Sequence, residues 1–239
     1  MVHIADYNEM KDMEWLVTVM RELYPLPDSL PHFFVNVAVV SHTHLGYYIE
    51  DINRADRDPH LPHQPVSKRR QGVIWGKDPK HFQEDDSVLS LLKYIANRDI
   101  PLKSTSTTPL FDHENVQWLG HQSQDSWKAL LEQSKFLLGV GHPLLGPSAI
   151  DALAAKCVFI NPIYEKPLRD GAYTSQHPYA MNRIGEPYVC SVSLKNVTGV
   201  MNCIHRAFEM SEEIEWPRTL LEDFSKEKYR DRVAAIFQL

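Results

Sequence analysis

The sequence has few cysteines and no motif that groups them. Its 239 residues include three cysteines, and none of them forms a C-x-x-C pair, so a structural zinc site is not expected. Cys157 and Cys190 lie in apolar runs, which predicts buried thiols rather than a disulfide bond. His42 and His44 have no acidic or thiol partner at ligand spacing, and we expect no metal site in this chain.

An excess of positive charge is also missing. The net charge of -6 at pH 7 and the pI near 6.0 exclude broad nucleic-acid binding, which requires a basic face. No run of about 18 apolar residues is present, so we expect no membrane-spanning segment. The first residues show no basic and apolar signal-peptide pattern. The absence of a G-x-S-x-G motif leaves a hydrolase triad without support.

Strands and helices alternate from residue 72 to residue 210. The predicted strands, such as residues 72–75 and 136–140, are continuous apolar runs, which is typical of a parallel sheet covered on both faces. The spacing of Trp127, Leu130 and Ser134 places them on one face of a predicted helix.

This pattern predicts an α/β fold with a doubly wound sheet. We predict three parts of the chain: an N-terminal helical segment and strand in residues 1–42, the α/β domain in residues 43–210, and a C-terminal helical tail in residues 211–239.

The loop of residues 139–148 (GVGHPLLGPS) follows a predicted strand and opens a helix. Gly141 and Gly146 would let the backbone approach a ligand closely. Pro147 suits the first helical position, and a helix start favours a phosphate group. A tight turn whose glycines serve packing explains the same residues, because the loop matches neither G-x-G-x-x-G nor a Walker motif.

Three further polar residues each have two interpretations. Asp151 lies one turn into that helix, where it can accept hydrogen bonds from ribose hydroxyls or favour the helix dipole. His177, in the polar loop of residues 173–180 before the next helix, is either a ligand-binding or a structural histidine. Asn196 opens an N-x-T sequon, and it equally suits the N-cap of a helix.

Several segments resemble one known family in the same order along the chain. They are residues 43–50 (THLGYYIE), 73–77 (VIWGK), 134–143 (SKFLLGVGHP), 146–154 (GPSAIDALA), 156–162 (KCVFINP), 174–180 (TSQHPYA) and 184–187 (IGEP). The polar heptamer at 174–180 is the most specific of these. The resemblance runs from about residue 43 to about residue 210. It is to the donor domain of the α-1,6-mannosylglycoprotein 6-β-N-acetylglucosaminyltransferases (N-acetylglucosaminyltransferase V, glycosyltransferase family 18).

The resemblance implies the C-terminal half of a GT-B glycosyltransferase, with a Rossmann-like doubly wound parallel sheet. It implies an inverting transfer of β-1,6-linked N-acetylglucosamine from UDP-N-acetylglucosamine to an α-mannose of N-glycans, in the Golgi lumen. The implied partners are the nucleotide sugar and, where an acceptor domain is present, the N-glycan. No metal and no cofactor are implied beyond the donor substrate.

The resemblance also assigns candidate substrate-binding residues. Those near the nucleotide, the diphosphate or the sugar are Glu50, Lys77, Gly141, His142, Gly146, Pro147, Ser148, Asp151, Gln176 and His177. The family's catalytic base belongs to its N-terminal domain, which residues 1–42 do not resemble, so the catalytic residues are expected outside this chain.

Two positions depart from the family pattern. Leu145 replaces an acidic residue, and Asp151 replaces a glutamate. The alternative to a transferase domain is therefore a catalytically inactive GT-B half that binds a nucleotide sugar or a partner. Whether the isolated chain is an enzyme stays open at this point.

Overall fold

The computed structural model describes residues 49, 68–82, 86–140, 142, 144–168, 171–210, 216 and 218–237. The chain divides into two compact units, Asn53–Leu221 and a second unit made of Met1–Ile52 and Glu222–Leu239. The helical segment and strand predicted in residues 1–42 lie outside the described residues. The predicted domain boundaries at residues 42 and 210 stay predictions.

Strands and helices alternate through the larger unit. The strands are β1 (Arg69–Trp75), β2 (Leu102–Ser104), β3 (Val116–Trp118), β4 (Ser134–Gly139), β5 (Val158–Leu168), β6 (Tyr173–Ser175) and β7 (Val189–Val192). The α-helices are α1 (Asp86–Ala96), α2 (Gln124–Glu132), α3 (Ser148–Ala154) and α4 (Val197–Glu209). A 3-10 helix (Pro79–Phe82) follows β1, and a π-helix (Ala180–Ile184) precedes β7.

Six of these strands form a parallel sheet in the order β3-β2-β1-β4-β5-β7, and β6 pairs antiparallel with β5. The strand order reverses between β1 and β4, since β2 and β3 extend to one side while β5 and β7 extend to the other. This is the doubly wound, Rossmann-like arrangement, in which ligands bind beyond the carboxyl ends of the strands at the reversal point. The predicted α/β fold class is confirmed.

Both faces of the sheet are buried, as the continuous apolar runs predict. Ile74, Phe136 and Leu138 point into a cluster with the apolar faces of α1 and α4. Their strand neighbours Val73 and Leu137 are also fully buried, and α2 and α3 pack on β4 and β5. Burial of consecutive residues on opposite faces requires an apolar side chain at every position, which explains why the strand pattern does not alternate.

Ser134 is not on the helical face where its spacing placed it. It is the first residue of β4, and its hydroxyl donates to the Leu130 carbonyl at 2.7 Å and accepts from the Gln71 side chain at 3.1 Å. The helix ends before it because these bonds, and the pairing of Ser134 with Arg69, fit a strand. Pro147 also differs from its prediction, since it is the N-cap just before the first helical residue, Ser148.

The prediction of a buried thiol is right for Cys157 and wrong for Cys190. Cys157 is free and buried, and its burial raises the pKa of the thiol to about 12. Cys190 forms a disulfide bond with Cys203. β7 carries Cys190 and α4 carries Cys203 against the same part of the sheet, a long-range proximity that the apolar run around Cys190 does not reveal.

The smaller unit is described only in part. Its helix α5 (Lys226–Phe237) follows a 3-10 helix (Arg218–Phe224). The Ser225 hydroxyl accepts from the Lys228 amide at 3.2 Å, which is the bond of an N-cap serine. The Ile49 amide donates to the Phe224 carbonyl at 2.9 Å. No described helix is long and apolar enough to cross a membrane.

Candidate functional site

The candidate site lies at the β1–β4 edge, which we define as the carboxyl ends of β1 and β4 with residues 76–78 and 142–147 that follow them. Its β1 side turns tightly at Gly76. A Cβ atom on Gly76 would lie 2.6 Å from the Phe82 ring and 2.9 Å from Val140. Glycine is therefore required for packing at this turn, and the next residue, Lys77, reaches the surface with an exposed side chain.

Gly146 brings the loop of the β4 side against the end of β1. A Cβ atom at this position would lie 2.1 Å from the Trp75 indole, so the loop contacts Trp75 through bare backbone. Of the two sequence interpretations, the packing role is the one that the structure shows for Gly146. A ligand-binding role at the same position stays a prediction.

The same loop is joined to Gln176 through Leu145. The Leu145 amide donates to the Gln176 carbonyl at 2.9 Å, and Leu145 adopts a φ of 55°. This left-handed conformation is unfavourable for a branched side chain, so the surrounding contacts must hold it. Leu145 is buried, and the position where the family has an acidic residue therefore carries an apolar side chain inside the protein.

The Gln176 carboxamide is buried against the last residue of β4. Gln176 has no exposed surface, and a Cβ atom on Gly139 would lie 1.8 Å from its Oε1 atom. Only glycine at position 139 leaves space for this side chain. Among the described residues, neither Oε1 nor Nε2 of Gln176 has a hydrogen-bond partner. Leaving a buried polar group unsatisfied costs about 1–3 kcal/mol, and such a group calls for a functional explanation.

His177 has the contacts of a structural histidine. Its backbone amide donates to Oδ1 of Asn161 at 3.0 Å, and its Nδ1 atom accepts from the Ala180 amide at 3.1 Å. Its ring lies edge-on to Phe159 and Tyr179. Because Nδ1 accepts a bond, it carries no proton, and the ring is the neutral Nε2–H tautomer.

Asn161 is a positioning residue that the sequence did not single out. It is fully buried, and its Nδ2 donates to the Ser191 hydroxyl at 3.1 Å while its Oδ1 holds the His177 backbone. It therefore ties β5, β7 and the loop of Gln176 together. A polar residue inside the apolar run of β5 was the available signal for this role.

Asp151 contacts the neighbouring helix. The Trp127 indole N–H donates to Oδ2 of Asp151 at 3.1 Å, and the carboxylate is half-buried in the first turn of α3. This bond joins α2 to α3. Ser148 is half-buried at the first position of α3, and Pro147 before it is exposed. Asp151 thus lies on the helix that follows β4. Its predicted hydrogen bonds to ribose hydroxyls stay a prediction.

Two further predicted residues flank the edge. The His142 ring lies 6.5 Å from the His81 ring, centroid to centroid, so one histidine from each side of the β1–β4 edge meets the other. The Lys77 carbonyl accepts from the Thr107 amide at 3.2 Å. The other two predicted residues, Glu50 and Gly141, lie outside the described residues.

Thr105 is a second residue that the sequence did not single out. It follows β2, is 3% exposed, and its hydroxyl has no hydrogen-bond partner among the described residues. Its amide donates to the carbonyl of Ile74 at 3.4 Å, which places it beside β1. A run of four hydroxyl residues, 104–107, directly after a strand was the signal for it.

Residues 38–238 match the model of glycosyltransferase family 18, which is well over half of the chain. The chain belongs to glycosyltransferase family 18. The match extends beyond the 43–210 region where the sequence motifs showed the resemblance.

Curated relatives of this family 18 chain carry one enzyme name. It is 28% identical over 155 residues to the α-1,6-mannosylglycoprotein 6-β-N-acetylglucosaminyltransferase of Caenorhabditis elegans, covering 58% of this chain and 23% of that protein. It is 34% identical over 166 residues to enzyme B of the same name from Homo sapiens, covering 64% of this chain and 21% of that protein. The chain thus spans less than a quarter of the length of these relatives.

A solved structure shares the fold of this family 18 chain. The UDP-forming α,α-trehalose-phosphate synthase from Burkholderia xenovorans superposes with a TM-score of 0.50 at 12% identity, covering 81% of this chain and 51% of that one. At this identity the likeness concerns the fold alone.

Among the residues that the structure describes, no three His, Cys, Asp or Glu side chains are grouped to hold a metal ion.

Proposed function

We propose that this chain is the donor domain of a β-1,6-N-acetylglucosaminyltransferase and binds UDP-N-acetylglucosamine at the β1–β4 edge. The reaction would invert the anomeric centre without a metal ion, and the acceptor would be an α-mannose of an N-glycan in the Golgi lumen. Family membership and the names of the relatives support the class of reaction. The fold supports the location, because doubly wound sheets bind ligands where the strand order reverses.

The observation that carries the proposal is the buried carboxamide of Gln176. It offers two donor hydrogens and an acceptor oxygen that the described residues leave unused. Gly139 is required for its position, at the end of the central strand β4. Since the carboxamide is buried, a sugar hydroxyl or a diphosphate oxygen meets it only when ligand binding uncovers it, and such a partner would then remove the cost of its burial.

Two other side chains support a polar, anionic ligand at the same edge. Lys77 places an exposed ammonium group after β1, where it can approach a diphosphate. The Thr105 hydroxyl, buried beside β1 without a described partner, is an additional candidate donor. The proposed substrate-binding set within the described residues also includes His142, Gly146, Pro147, Ser148, Asp151 and His177.

Leu145 and Asp151 favour a second candidate function, a binding module without transferase activity. The buried Leu145 side chain cannot replace the acidic residue of the family pattern. Asp151 is one methylene shorter than the family's glutamate and already accepts a bond from Trp127. Nucleotide-sugar binding is common to both functions, so binding is the first property to test.

Isothermal calorimetry of the whole chain with UDP and UDP-N-acetylglucosamine, with and without EDTA, tests the proposal. We expect binding of both ligands and no change on chelation. ATP serves as the control for unspecific affinity toward a nucleotide phosphate. A folded sample that releases no heat with either uridine ligand at millimolar concentration would refute the donor site.

A further inference from the structure

A sequon stands at the start of helix α4, on the opposite side of β5 from the proposed donor site. Residues 196–198 (NVT) are the only N-x-S/T sequence in the 239 residues. The structure exposes the side chains of both Asn196 and Thr198, which are the two that a glycosylating enzyme must reach. We infer that Asn196 carries an N-linked glycan.

The capping role of Asn196 is compatible with this modification. Its Oδ1 atom accepts from the Gly199 amide at 2.9 Å, which is the N-cap bond of α4. A glycan is attached to Nδ2, which this bond does not use. Nδ2 lies above Gly199, 2.7 Å from where a Cβ atom would stand, and the absence of a side chain there leaves it open. The two interpretations of Asn196 from the sequence therefore hold together.

The disulfide bond provides an independent indication of the compartment. Cys190 and Cys203 are 13 residues apart and enclose the sequon. Disulfide bonds persist in oxidising compartments and are rare in the reducing cytosol. N-linked glycans occur on secreted and luminal proteins. The disulfide bond around the exposed sequon therefore indicates an oxidising compartment, and N-linked glycosylation takes place in such a compartment.

The chemical step needs a lipid-diphosphate-linked oligosaccharide as co-substrate. Nδ2 of Asn196 forms a bond to C1 of the terminal N-acetylglucosamine and loses one proton. The bond between C1 and the diphosphate oxygen breaks, and its electron pair leaves with the lipid diphosphate. Oδ1 of Asn196 is unchanged by the step and keeps the Gly199 amide as its donor.

The glycan would stand at the outer edge of the sheet. Asn196 follows β7, and β5 lies between β7 and β4, so β7 and β4 are roughly 10 Å apart at the usual strand spacing. The other strand of the proposed site, β1, lies one strand further from Asn196. We therefore expect the glycan to leave UDP binding unchanged within twofold.

To test this inference, the whole chain is expressed behind a cleavable secretion signal in eukaryotic cells. The mass of the protein is then measured in samples collected from both lysate and medium. Wild type should show one N-glycan that peptide-N-glycosidase removes, leaving aspartate at position 196. Two matched variants should carry none: Thr198→Ala, which leaves the Asn196 cap intact, and Asn196→Asp, which keeps a capping oxygen. Their melting temperatures should match that of the deglycosylated wild type.

Bare Asn196 in folded, disulfide-bonded wild type would overturn the inference. A mass shift that persists in Thr198→Ala would overturn it as well. Because UDP binding is measured separately by calorimetry, failure of the glycan and failure of the donor site are distinguishable.

Discussion

Two glycines at the β1–β4 edge serve the side chains beside them. Gly139 leaves the space that the Gln176 carboxamide fills, and Gly146 leaves the space for the Trp75 indole. In both cases backbone without a side chain lies against a large group, which only glycine allows. The sequence leaves two interpretations of the glycines in this loop, close approach to a ligand or packing, and the structure shows packing at both positions.

Asp151 allows a charge-based test at the same scale. We expect Asp151→Asn to weaken UDP binding at least tenfold if the carboxylate holds the ribose, because a hydrogen bond to a charged group contributes about 1.5–3 kcal/mol. The melting temperature of the ligand-free protein should change little, since asparagine keeps an oxygen that can accept from Trp127. Calorimetry and thermal melting measure the two effects separately.

Asp125 provides the control for this substitution. It stands in the first turn of α2 as Asp151 stands in the first turn of α3, and Asp125→Asn should leave the affinity unaltered. Asp151→Glu should preserve or improve binding, because it restores the longer side chain of the family. If Asp151→Asn bound UDP normally but melted earlier, the carboxylate would serve the helix rather than the nucleotide.

The disulfide bond belongs to the scale of elements, because it fastens α4 to β7. The two cysteines are 13 residues apart. In the chain-entropy model, closing a loop of about this length raises the free energy of the unfolded state by roughly 3 kcal/mol. We therefore expect Cys203→Ala to lower the free energy of unfolding by about 2–4 kcal/mol in denaturant titrations.

The matched condition is wild-type protein with reductant, which should unfold at the same denaturant concentration as Cys203→Ala. The variant itself should not respond to reductant. Cys157 is free and buried in the folded protein, so it forms no second disulfide bond that the reductant would break. Equal stability of oxidised and reduced wild type would show that the bond does not restrain α4.

The sequence predicted the secondary-structure elements that depend on short-range patterns. The runs that became β1 and β4 are apolar at successive positions, so both strands were predicted, although β1 begins three residues and β4 two residues before the predicted runs. The part of β5 after Pro162 is exposed or half-buried, so it contains no apolar run that would predict a strand. The bond between Cys190 and Cys203 and the hydrogen bond between Trp127 and Asp151 join separate elements, and no local pattern contains them.

The part of the chain that aligns with its curated relatives covers less than a quarter of their length. The proposed reaction needs a general base and a positioned acceptor, and the resemblance assigns the base to another domain. Positioning supplies much of the barrier reduction in a two-substrate reaction. We therefore predict negligible transfer to a mannose-terminated glycan by this chain alone, in an assay with radiolabelled UDP-N-acetylglucosamine. Robust turnover would place the base within these residues.

The candidate site was predictable only in part, again because of distance along the chain. Gln176 and His177 were found through the heptamer 174–180, yet their roles differ: His177 is held by Asn161, while Gln176 keeps its polar atoms unused among the described residues. Thr105 lies outside the matched segments, and Asn161 lies inside segment 156–162 without an assigned role. Their sequence signals, a hydroxyl run and a polar residue in an apolar strand, do not indicate which groups they contact until the sheet order is known.

Gln176→Leu tests whether the buried Gln176 carboxamide binds the nucleotide sugar. Leucine removes the unsatisfied polar atoms, so the ligand-free protein should melt at the same or a higher temperature. The affinity for UDP-N-acetylglucosamine should fall at least tenfold, equivalent to about 1.4 kcal/mol.

Calorimetry beside thermal melting of the same samples gives both values. Gln117→Leu, at the exposed middle residue of β3, is the control that should change neither the affinity nor the melting temperature. We expect Gln176→Leu to lose affinity for UDP-N-acetylglucosamine without losing stability. Undiminished UDP-N-acetylglucosamine binding by folded Gln176→Leu would contradict it.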